Sequence, residues 1–114
     1  MSEFLFLFRG SDPTARSPEQ MQKSMQKWLA WFKDLSDKGI VKNPGQPLDR
    51  TGKVVEGKHK TVHDGPFAEA KDVVNGYIVI EADDLAEATE IWKGCPILER
   101  DGSVEVRPIR YLNV

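Results

Sequence analysis

The sequence is short of most of what dedicated chemistry requires. It has one cysteine, Cys95, in 114 residues. That excludes an intrachain disulfide framework and a cysteine-based zinc site, and a reducing cytoplasm is the expected location. Histidine occurs only at His59 and His63. Charge of one sign is also lacking: 16 Lys and Arg stand against 18 Asp and Glu, a net of −2. Neither a polycationic footprint for nucleic acid nor an acidic tail is therefore expected. The N-terminal apolar run stops after Phe4-Leu5-Phe6-Leu7-Phe8, whereas a membrane span needs roughly 20 residues. Glu3 before this run and Arg9 after it are unlike a signal peptide. No glycine-rich phosphate loop occurs, so no cofactor is expected. What remains is a chain of 39% hydrophobic and 30% charged residues, which fits neither disorder nor a fibre. Its length is that of one domain, 1–114, with an expected radius of gyration of about 13 Å.

The apolar residues fall into strand and helix periods. Phe4–Phe8 has no polar alternation, so it reads as a strand covered on both faces. Ser11–Arg16 reads as a loop. Ser17, Pro18, Glu19 and Gln20 then form a capping box with proline at the first helical position. Met21, Met25, Trp28, Phe32 and Leu35 follow at helical spacing, widened by Leu29 and Trp31, and Gly39 supplies the stop. This predicts a helix over about 18–38. Asn43–Pro47 is a turn cluster. Val54–Val62 reads as a hairpin whose second arm is interrupted by Gly57, and 64–72 as a loop. Gly76–Ile80 is a second apolar strand. Asp83 or Asp84 caps a second helix with Leu85, Ala88, Ile91 and Trp92 on its buried face, ended by Gly94 and Pro96. Val104, Val106 and Ile109 give a last strand, limited by Pro108. The order β-α-β-β-(β)-α-β is an α+β, ferredoxin-like pattern with a mainly antiparallel sheet. Two helices can cover only one sheet face. Apolar residues on both faces of the strands therefore predict a homodimer with its sheets packed face to face, assembling further or not.

Val62-His63-Asp64-Gly65-Pro66-Phe67-Ala68-Glu69-Ala70-Lys71, with Asn75-Gly76-Tyr77 beyond it, is an unusual string. It resembles the motif of the YCII-related (DGPF-domain) family. The helix start at Ser17-Pro18-Glu19, Asp83-Asp84-Leu85-Ala86-Glu87-Ala88 and the closing Gly102–Ile109 resemble that family too, in the right order. The resemblance implies a dimeric α+β barrel and associates the chain with acid–base chemistry by a His–Asp pair in a cleft. Similar barrels host lactone isomerases, dehalogenases and cofactor-free monooxygenases, and some relatives accompany sigma factors. Many relatives carry a histidine in the first helix, where this chain reads Gln26-Lys27-Trp28-Leu29-Ala30.

Each candidate has an ordinary reading beside the functional one. Asp64 is either a turn residue or a general base, and His63 is a possible proton carrier. Neighbours on a strand point to opposite faces, so a simple His63–Asp64 dyad conflicts with strand geometry. Phe67 is a core plug or part of a substrate site. Lys71 is a solvated charge or an anion anchor. Trp28 is a packing residue or a ligand-stacking one. Arg107 is a bidentate carboxylate clamp, or it pairs with Glu105 of a neighbouring strand across an interface. His59 and His63 lie four apart, about 13 Å along a strand, too far for one metal ion. Cys95 lacks a local base and reads as a packing residue. The function expected is cofactor-free acid–base chemistry on a small organic molecule. The alternative is a ligand-binding or regulatory dimer without catalysis.

Overall fold

The computed structural model describes residues 2–10, 17–65, 72–99 and 102–112. Strand β1 spans Ser2–Arg9, β2 Val41–Asn43, β3 Gly52–Glu56, β4 Thr61–Gly65, β5 Val74–Ala82 and β6 Ser103–Pro108. Helix α1 spans Pro18–Asp37 and α2 spans Leu85–Trp92; a short 3-10 helix covers Pro96–Glu99. The main sheet has the order β2-β5-β1-β6, and β3 and β4 form a separate hairpin. β1 runs antiparallel to both β5 and β6, and β2 antiparallel to β5. This is the ferredoxin-like α+β arrangement with a hairpin inserted between β2 and β5.

The core follows from the period of two along β1 and β5. Phe4, Phe6 and Phe8 face the helices with Ile78, Ile80 and Ala82, and all six are buried. Ala88 and Trp92 of α2 and Cys95 close over them, while Trp28, Trp31 and Phe32 of α1 pack against the cluster from one side. Trp92 is at the centre of a ring set: Phe6, Phe8 and Trp31 lie 3.6, 5.0 and 4.5 Å from it, centroid to centroid. Such edge-on aromatic contacts add to the burial of large apolar area.

Both helix starts behave as their residues predict. The Gln20 amide donates to Ser17 Oγ at 3.2 Å, and the Ser17 amide donates to Gln20 Oε1 at 3.1 Å. Asp84, not Asp83, caps α2 by accepting from the Glu87 amide at 2.8 Å. Gly45, at φ 63°, lies against β5 where a β-carbon would collide with the Tyr77 carbonyl.

Four expectations change. The apolar stripe of α1 is buried only towards its C-terminal end: Leu35 is buried, but Met21, Met25 and Leu29 are exposed, because α1 overhangs the core. Leu85 of α2 is exposed as well. Gly57 forms the hairpin turn instead of breaking an arm, since its φ of 70° suits the turn closed by the Lys60 amide donating to the Gly57 carbonyl. The second arm therefore extends to Gly65, so Asp64 is a strand residue and not a loop residue. Strand β2 escapes a periodicity reading because it is only three residues long.

Phe6→Ala should lower the unfolding free energy by about 3–5 kcal/mol in urea titration, because the site is enclosed on every side. Leu29→Ala, on the overhang, should change it by about 0.5 kcal/mol or less.

Candidate functional site

The hairpin register decides which charged groups meet. Lys53 opposes Asp64, and Val54 opposes His63. Directly opposed residues share a face and adjacent ones do not. Lys53 accordingly donates to the Asp64 carboxylate. On the other face, His63 Nε2 lies 3.2 Å from Glu56 Oε2. Asp64 and His63 are thus parted by the pleat, each with its own cross-strand partner.

Asp64 lines an open recess of about 450 Å³ at the root of the hairpin, with Arg50, Thr51, Gly52, Lys53 and Gly65. Arg50 joins this root to the main sheet, donating to Asn75 Oδ1 at 2.9 Å. Asn75 in turn donates to the Gly10 carbonyl at 3.3 Å. The recess therefore gathers one carboxylate and two basic side chains, on a segment fastened to the ends of β1 and β5. The Asp64 side chain is 90% exposed. Among the described residues no polar or charged residue is buried.

The remaining candidates are dispersed. Arg107 sits on β6 opposite Leu5, on the face away from the helices, and donates to Glu105 of its own strand at 3.1 Å. Within the chain Glu105 also has a cross-strand partner, Arg9, whose guanidinium meets it at 2.8 Å while also donating to the Asp72 carbonyl. Those two guanidinium bonds, Arg9 first, hold the Glu105 carboxyl below its ordinary range. Trp28 belongs to the ring cluster, 5.0 Å from Phe8 and 5.8 Å from Trp31, and is half-buried. Phe67 and Lys71 lie outside the described residues. His59 is exposed in the hairpin turn and His63 is on β4. Among the described residues no group of three or more His, Cys, Asp and Glu could hold a metal ion, and no helix is long and apolar enough to cross a membrane.

A family model described as the YCII-related domain matches residues 4–113. The chain belongs to the YCII-related family. No curated protein matches it significantly. Among solved structures, 5-chloro-2-hydroxyhydroquinone dehydrochlorinase (TftG) from Burkholderia phenoliruptrix AC1100, in complex with 2,5-dihydroxybenzoquinone, is similar with a TM-score of 0.54. The likeness covers 96% of this chain and 95% of that one at 16% identity, which bears on the fold.

In this YCII-related chain, Arg50, Lys53 and Asn75 were not singled out as site residues by sequence reasoning. Lys53 becomes visible only through the hairpin register, and Arg50 only through its reach to Asn75, 25 residues on. Cys95 is buried, and burial pushes its thiol up to about 12 from 9.0, which disfavours the nucleophilic thiolate. It should resist alkylation at pH 8 in the native protein and react once unfolded. Folding favours its protonated form, so stability should be steady below pH 9 and decline as pH rises towards about 12, read by urea titration.

Proposed function

We propose that the protein is a small cofactor-free enzyme that moves a proton on a small, oxygenated organic molecule, working as a homodimer. The observation that carries this reading is the recess in which Asp64 stands with Lys53 and Arg50. An anionic or enolic oxygen of a substrate would seat against Arg50 and Lys53. In doing so it would compete for Lys53, release Asp64 from its ion pair and leave that carboxylate as the base. The two cations would then hold the charge that develops on the substrate oxygen. His63 faces the opposite side of the hairpin, and in this reading it takes no proton from Asp64.

Support for the dimer comes from the sheet face turned away from the helices. Leu5, Leu7, Tyr77 and Val79 form its centre and are only half-buried. Around them stand Arg9, Glu105 and Arg107, the Lys42–Glu81 ion pair, and Tyr111, whose hydroxyl lies 2.6 Å from Glu3 Oε1. An apolar centre with a polar rim is the anatomy of a protein interface. The similar solved structure, a dehydrochlorinase complexed with a dihydroxybenzoquinone, suggests hydroxylated and halogenated quinols as the first compounds to try.

A second reading, a dimer that binds such a molecule without converting it, is favoured by the high exposure of Asp64. The two are separated by incubating the protein with 5-chloro-2-hydroxyhydroquinone and related quinols, following chloride release and solvent deuterium uptake. Under the enzyme reading Asp64→Asn lowers kcat/KM by at least about 100-fold, and Arg50→Ala raises KM. Full turnover in Asp64→Asn would remove Asp64 from the chemistry. A compound recovered unchanged, held less tightly by Asp64→Asn, would establish the binding reading.

A further inference from the structure

The inserted hairpin is ordered without lying on the sheet that carries it. Its two strands pair with each other and not with the main sheet. Every residue from Gly52 to Asp64 except Val54 is exposed. Isolated two-stranded hairpins are marginal in water and need a further strand or a packed face. This one carries such a face unused: Val55 and Val62 are directly opposed across the strands and are 62% and 60% exposed. The whole chain is correspondingly thin and wide. Its extents are 48 × 45 × 19 Å and its radius of gyration is 15.8 Å, against about 13 Å for a compact domain of this length.

We propose that the hairpin is an arm that packs on a second copy of this chain, and that the Asp64 recess at its root is complete only with that copy in place. The inference rests on the dimeric reading above and adds to it a specific contact and a consequence for the site. A second copy is favoured because one chain leaves two apolar surfaces open, the sheet face and the arm. A single twofold association of thin plates would cover both. Charge points the same way. The hairpin turn carries Lys58, His59 and Lys60, while the start of α2 carries Asp83, Asp84 and Glu87 with no Lys or Arg between them. A basic turn and an acidic segment of one chain can meet on two copies of it. The recess gives the third reason. Exclusion of water strengthens the hold of cations on a developing oxygen anion, and the described residues of one chain leave this recess open.

The test compares wild-type protein with Val55→Glu/Val62→Lys, whose opposite charges keep a cross-strand pair while removing the apolar face. Val55→Thr/Val62→Thr, which keeps strand propensity, serves if the charged pair disturbs folding. Sedimentation velocity over a concentration series gives the dimer dissociation constant, and hydrogen exchange reports on residues 51–65. The expected result is a wild-type dimer, a dissociation constant raised at least about 30-fold in the charged variant, and faster exchange across 51–65. A dimer of unchanged strength with unchanged exchange would overturn the arm and leave the sheet-to-sheet dimer standing. A wild-type monomer at every concentration would overturn both.

Discussion

Everything in this molecule depends on one strand having two apolar faces. Phe4, Phe6 and Phe8 need one cover and Leu5 and Leu7 need another, yet the two α-helices among the described residues both lie on the phenylalanine side. The covered side is closed by aromatic contacts centred on Trp92. The other side is left as a half-buried apolar patch within a ring of ion pairs. The fold is thus closed over one face, while the other keeps an apolar centre that is only half-buried. The thin outline of the chain has the same origin.

The inserted hairpin repeats that imbalance on a smaller scale. Its register sorts charges into two sets, Lys53 with Asp64 and Glu56 with His63, one on each face. Chemistry built from this segment therefore draws on one face at a time. On the Asp64 face the charged group opposite is a cation, Lys53. On the His63 face the nearest charged group is another carboxylate. The pleat thus decides between two pairings that adjacency in sequence would have merged.

Much of the fold was legible in the residues, and the parts that were not have physical reasons. Period-two phenylalanines, the Ser17 capping box and the Asp-Asp start of α2 each report a local preference that tertiary packing agrees with. Met21, Met25 and Leu29 obey the same helical period but stay exposed, because periodicity reports which side of a helix is apolar and not how far the core beneath it extends. Strand β2 is too short to show alternation. At the site, Asp64 was legible from its motif, since Asp-Gly-Pro is rare punctuation. Its neighbours were not, because Lys53 meets it through the ladder register and Arg50 lines the same recess while bonded to Asn75. Arg107, picked out by its alternation along the last strand, lies on the outer sheet face, and Trp28, in the helical stretch where many relatives carry a histidine, lies in the ring cluster.

The overhang of α1 also settles where oxidants would act. The lone thiol, Cys95, is buried and held protonated, so peroxide finds little thiolate to attack. The thioethers of Met21 and Met25 stand in solvent on α1. Sulfoxide formation there would add polarity to side chains that are already exposed, reversibly and at small cost to the fold. The sulfur chemistry of the chain is thereby moved from its packed interior to a part of the helix that can absorb it.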